Sequence, residues 1–241
     1  MLQIVVFSFF ILFLVFNLQY LSQKKPNKLI NLTLTILYVI ASLSVGYTLV
    51  VQDLNIEFVV KLVALLSLSF LYLETTYKVN YWYVLILLIS ILSDSLFVFE
   101  ADFYYPALFL LIVNRFLYIV VIKSSVFPRL SAKMFIYVLP FILTFIAIYT
   151  LFYRYIDLIR VPVLLMGALS VILVFFTFLN LLNKNNNKAR YFFWGTTLMP
   201  MADILMAFSD FVNNHISFII IYHLLYYLAR YLIYKSMILR K

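Results

Sequence analysis

Apolar runs separated by short polar breaks fill the chain from end to end. A transmembrane helix needs about 20 apolar residues to cross ~30 Å of hydrocarbon. The runs predict nine such helices, over residues 1–21, 29–51, 58–73, 81–99, 105–122, 134–153, 161–182, 190–208 and 216–238. The third run is the shortest, and no break is long enough to hold a soluble domain. Residues 1–21 are long for a signal-peptide core and lack a small-residue cleavage site, so a retained helix is expected there.

Composition agrees with this pattern. Of 241 residues, 66% are hydrophobic and 11% charged, against about half and about a quarter in soluble domains. So few polar groups cannot cover the apolar surface in water. Three glycines and the absence of short alternating segments exclude a β-barrel. The expected class is therefore all-α, a polytopic transmembrane bundle. Without cysteine, disulfides and thiolate metal sites are excluded.

The net charge of +9 could suggest nucleic acid, but its distribution points to membrane orientation instead. With nine spans, one set of loops and tails holds Lys24, Lys25, Lys28, Lys78, Lys123, Arg129, Lys133, Lys184, Lys188, Arg190, Lys235, Arg240 and Lys241. The opposite set holds only Arg154 and Arg160, together with Asp53, Glu57, Glu100, Asp102, Asp157 and Asp210. The positive-inside rule makes the first set cytoplasmic. The C-terminus is then inside and the N-terminus outside, in a multi-pass cell-membrane protein of the bacterial inner-membrane kind.

Five charged residues fall inside spans: Lys61, Arg115, Arg230, Asp94 and Asp203. A charge at the bilayer centre costs roughly 2.5–3.5 kcal/mol on insertion scales, so such residues pair, face the bundle interior and mark function. The plain alternative is a set of ion pairs gluing helices together. Arg115 and Arg230 are each expected near Asp94 or Asp203, because an unpaired buried charge is far more costly than a paired one. Lys61, at the start of its span, can snorkel. Asp94 and Asp203 have equal depth on two helices and are expected to line one cavity open toward the outer half. Its chain slot would lie among Phe and Leu residues, with a polar end near Lys61, Tyr226 and Arg115. Pro200 should free the carbonyl of Thr196 and kink the eighth span. His223, Tyr226, Tyr227, Arg230 and Tyr234 fall on one face of the last span, which should turn inward. No Gly-rich phosphate loop, serine nucleophile motif or metal-ligand spacing is present.

These polar positions resemble the YhhN-like membrane proteins, the lysoplasmalogenase family. Lys61-Leu62 falls where that family has Lys-Pro, and Ser93-Asp94 in LISILSDSLFVFE falls at its Gly-Asp. Arg115 with Tyr118 in NRFLYI falls at its His and Tyr three residues apart. Ala202-Asp203 in MADILMAF falls at its Ser-Asp, and Tyr226-Tyr227-Leu228-Ala229-Arg230 at its Tyr-Tyr-x-x-Gln. The family's proline, glycine, histidine and glutamine are replaced here. The resemblance implies an eight-helix core over residues 29–241, preceded by an extra helix and basic loop over residues 1–28.

It also implies hydrolysis of the vinyl ether of lysoplasmalogens. Such an ether is protonated at carbon, and water attacks the oxocarbenium ion. Two acids suit this chemistry, one to donate the proton and one to stabilise the cation or activate water. The resemblance assigns those roles to Asp94 and Asp203. Lys61, Arg115, Tyr118, His223, Tyr226, Tyr227 and Arg230 would bind a membrane lipid or lysophospholipid, with no cofactor and no metal. Guanidinium does not lose its proton in proteins, so Arg115 is suited to hold a lipid phosphate rather than to shuttle protons. A non-catalytic lipid-binding or structural protein of the same fold is the alternative. A small-solute carrier fits less well, given few glycines and no evident repeat.

Overall fold

Several polar breaks carry a residue able to end one helix or start the next. In the computed structural model the described residues are 28–51, 53–126, 132–156, 159–212 and 215–239. Among them are eight α-helices and no strand: α1 (Lys28–Val51), α2 (Leu54–Thr75), α3 (Tyr81–Phe97), α4 (Glu100–Val126), α5 (Leu139–Phe152), α6 (Arg160–Lys184), α7 (Asn187–Phe211) and α8 (Ile216–Ile238). A 3-10 segment, Ala132–Val138, leads into α5. The Asp53 carboxylate caps α2, accepting from the backbone N–H groups of Asn55 at 2.9 Å and Ile56 at 3.3 Å. Asn80 caps α3 through Trp82 N, and Asn186 caps α7 through Ala189 N. Asn185 ends α6 in the left-handed conformation, a common helix stop.

The expected helices two to nine correspond to α1–α8. The described residues thus hold eight helices rather than nine, and the expected first span, residues 1–21, lies outside them. The expected third span begins at residue 58, just after Glu57, yet α2 runs from Leu54 to Thr75. Its first turns are tolerated because Glu57 and Lys61 pair one turn apart on the helix. Five helices, α1, α2, α4, α6 and α8, are long and apolar enough to cross a membrane, and α3 and α5 are shorter apolar helices. Large exposed side chains such as Ile40, Phe109, Leu151 and Val161 cover the outside of the bundle, as lipid contact requires.

α7 and α8 form the most extensive helix pair, followed by α1 with α2 and α3 with α4. α4 and α7 each pack on α6, and α1 and α2 pack on α8. The α7–α8 seam depends on Gly195. A Cβ there would lie 2.6 Å from Ile233 Cγ1 and 2.9 Å from the Ala229 carbonyl oxygen. Small residues let membrane helices approach this closely. Gly195→Ala is therefore expected to cost about 1–3 kcal/mol, read as a lowered thermal midpoint of the purified protein. An unchanged midpoint would show that the seam yields without cost. α6 joins α7 through the buried Thr177 and Thr196 hydroxyls, 2.9 Å apart.

Candidate functional site

α8 carries the residues that organise the bundle centre. His223, Tyr226, Tyr227, Arg230 and Tyr234 are all buried, so the stripe turns inward as its spacing predicts. Arg230 is 1% exposed. Its guanidinium donates to the hydroxyls of Ser90 on α3, Tyr118 on α4 at 3.3 Å, and Tyr226 one turn back on α8 at 2.6 Å. It also lies 4.8 Å from the centroid of the Tyr226 ring. Tyr226 in turn donates its proton to Asp94 Oδ1 at 2.7 Å. Asn114 of α4 closes the centre from the other side, donating to Ser90 Oγ at 2.7 Å and to the Ile86 carbonyl at 3.2 Å. Arg230 and Asp94 thus belong to one network, connected through a phenol rather than by direct contact.

The second centre lies between α4 and α7. Arg115, 2% exposed, forms an ion pair with Asp203. Asp203 also lines a cavity of about 410 Å³. One face of α5 (Phe141, Phe145, Tyr149) and one of α6 (Val163, Gly167, Val174) supply much of its wall. Leu108 of α4 and Pro200 of α7 complete the part nearest Asp203. The lining is overwhelmingly apolar. α7 runs continuously through Pro200, which lies on the cavity wall.

The expectation of one cavity shared by both aspartates is corrected here. Asp203 lines the cavity and Asp94 does not. Equal depth places two residues at one level but leaves the rotation of each helix open. Asp94 turns toward Tyr226 on α8, and Asp203 turns toward Arg115 on α4. Phe97, one turn beyond Asp94, does line the cavity, so the two centres adjoin along α3. Lys61, Tyr226 and Arg115, expected at the polar end of the cavity, are not part of its lining, and Arg115 meets it only through Asp203.

The other expected residues separate. Lys61 pairs with Glu57 on its own helix. His223 Nδ1 lies 2.8 Å from the Ile219 carbonyl, one turn back. Tyr227 packs edge-on against Tyr38 of α1, whose hydroxyl donates to the Tyr227 carbonyl at 2.6 Å. Neither joins a polar centre through a side-chain hydrogen bond among those described. Ser90 and Asn114 are the members the sequence reading missed. A serine in a membrane helix is unremarkable, but Asn114, adjacent to Arg115 in an apolar run, was a usable signal. Glu74, buried near the end of α2, was likewise passed over because it falls one residue beyond the expected span.

Among the described residues no group of three or more His, Cys, Asp or Glu side chains could hold a metal ion. A family model described as the YhhN family matches residues 54–237, which begins at the first residue of α2 and ends within the last turn of α8. No curated protein and no solved structure matches the chain.

Proposed function

The chain belongs to the YhhN family, and from that premise we propose that it is a membrane lipid hydrolase of the lysoplasmalogenase type. The observation that carries the reading is a carboxylate, Asp203, on the wall of a largely apolar cavity that Asp210 also lines, inside a bundle of apolar helices. That is what a substrate with one greasy chain and one reactive polar bond requires. In this reading Asp94 is the acid. It stands off the cavity lining, so it acts where its centre adjoins the cavity along α3: it accepts from Tyr226 on Oδ1, which leaves Oδ2 to carry a proton to a vinyl carbon brought past Phe97. The double-bond electrons form the new C–H bond, and the ether oxygen stabilises the resulting cation. Asp203, held by Arg115, supplies the negative charge facing that cation and orients the attacking water. The hemiacetal then collapses to an aldehyde and a free glycerol hydroxyl. The test is direct: purified protein in vesicles is given lysophospholipids with and without the vinyl ether, and released aldehyde is measured. Aldehyde from the vinyl-ether lipid alone is the expected result, and none from any vinyl-ether lysolipid ends the hydrolase reading.

One observation favours a second reading. Asp94 is engaged by Tyr226 within the Arg230 network and stands off the cavity lining. A protein that binds lipid beside Asp203 without turning it over would look the same, and the aldehyde assay separates the two.

The proposed setting is a membrane crossed nine times, with residues 1–21 as the extra helix, the N-terminus outside and the C-terminus in the cytoplasm. The short connections make successive helices antiparallel. Lys78, Lys123, Lys184 and Lys188 then gather at one set of helix ends, and Asp53, Glu57 and Asp210 at the other. Reporter fusions at Lys241 and within Asn185–Asn187 are expected to report cytoplasm. An external signal at either point would overturn this topology.

A further inference from the structure

α5 forms one side of the cavity, and it is lightly held. Its backbone packs on α6 and on the 3-10 segment before it, and Phe152 is its one buried residue. The contact that seats it is between Phe145 and Gly167. The Phe145 ring lies so close to the α6 backbone that a Cβ on Gly167 would come within 2.2 Å of Cε2. Both residues line the cavity. The ring is therefore tucked onto α6 because position 167 has no side chain. With a methyl group there, the ring must shift, and the cavity that both residues line has room to receive it.

The level of this contact matters. Gly167 is seven residues from the start of α6, and Phe145 seven from the end of α5. Asp203 is eight from the end of α7. At 1.5 Å per residue, all three lie about 10–12 Å from the same face of the bundle. The cavity extends past them in both directions, toward Val174 and Thr197 on one side and Ile159 and Phe211 on the other. Phe145 on Gly167 thus stands on the cavity wall at the height of Asp203, part-way along the cavity.

Volume decides what fits. A 150 Å³ apolar cavity takes benzene, so about 410 Å³ takes roughly sixteen carbons. That is one aliphatic chain, and the two chains of an ordinary bilayer lipid do not fit. We propose that the cavity takes a single aliphatic chain of a lipid, and that Phe145 seated on Gly167 acts as a waist beside Asp203 that sets which chain lengths pass. The inference rests on reading the cavity as a lipid site, and it needs no turnover.

The experiment measures binding rather than chemistry. Purified protein in nanodiscs is titrated with monoacyl lysophosphatidylcholines graded from short to long, and the shift in thermal midpoint is recorded against chain length. Wild type is expected to show a maximum at an intermediate length. Phe145→Ala widens the waist and moves the maximum to longer chains. Gly167→Ala drives the ring inward and moves it to shorter chains. The double variant Gly167→Ala/Phe145→Ala has no ring to displace, so its maximum returns to the long side. It also shows that the alanine at 167 is compatible with folding. Identical profiles for all four proteins, or no stabilisation of wild type at any length, overturn the inference. Aldehyde release is scored separately. Release with four identical profiles removes the gauge and keeps the hydrolase, whereas shifted profiles without release do the reverse.

Discussion

Asp94→Asn and Asp203→Asn are each expected to reduce aldehyde release from a vinyl-ether lysolipid at least about a hundredfold, the range over which a positioned general acid or base contributes. Both substitutions keep shape and hydrogen bonding. An asparagine at 94 can still accept from the Tyr226 hydroxyl through its carbonyl, and one at 203 can still accept from Arg115. What each loses is the ability to carry a proton or a negative charge. Folding and insertion should survive, which a monodisperse peak would establish, with a near-normal thermal midpoint for Asp94→Asn and a lowered one for Asp203→Asn, where the buried Arg115 loses its charge partner. The two variants should fail differently. On the proposed mechanism Asp94→Asn removes the proton donor, whereas Asp203→Asn removes the charge facing the cation and leaves Arg115 unopposed at that point. Full activity in both variants would sink the assignment of either residue to the chemistry.

Arg230→Met is expected to be the most destabilising single change in the bundle centre, by about 3–5 kcal/mol, the usual cost of stripping a buried charged group from its partners. Methionine fills much of the space but donates nothing. Ser90, Tyr118 and Tyr226 each lose a charge-assisted hydrogen bond, and Asp94 loses the guanidinium that faces it through Tyr226. The lesion should be partly reversible. Asp94→Asn on the Arg230→Met background removes the carboxylate left without its counterpart, so the double variant should be more stable than Arg230→Met alone. Thermal midpoints of the four proteins make the cycle. If the double variant is no better than the single, Asp94 and Arg230 are not coupled, and the network is only a set of local contacts.

The helices were legible because crossing a membrane leaves a one-dimensional record. Each apolar run has to be about as long as the bilayer is thick, and each break has to carry the charge. The inward stripe on α8 was legible for the same kind of reason, since helical spacing puts His223, Tyr226 and Arg230 on one face. The pairing of Arg115 with Asp203 followed from the cost of leaving either charge alone. The route from Arg230 to Asp94 through a phenol did not follow, because Tyr226 was one tyrosine among 20. The shared cavity failed on geometry. Depth can be counted along a chain, but rotation about a helix axis is set by neighbours far away in sequence. For Asp94 that neighbour is 132 residues on, and for Asp203 it is 88 residues back. Ser90 became part of the centre for the same reason, since Asn114 and Arg230 both reach it from other helices.

The hydrogen bonds around Tyr226 all point one way. A guanidinium has no lone pair to offer, so the Tyr226 oxygen must accept from Arg230, and its single proton is committed to Asp94. Ser90 is constrained likewise, because it accepts from both Asn114 and Arg230. The centre is therefore an array of aligned dipoles with one permitted polarity, its positive end at α8 and its negative end at α3. No member can reverse alone, since each reversal would set two donors or two acceptors face to face. Rotational freedom of the hydroxyls is lost before any lipid arrives. On the proposed hydrolase reading, the field at Asp94 is thus already set when a lipid arrives, with no reorientation left to perform at the moment of reaction.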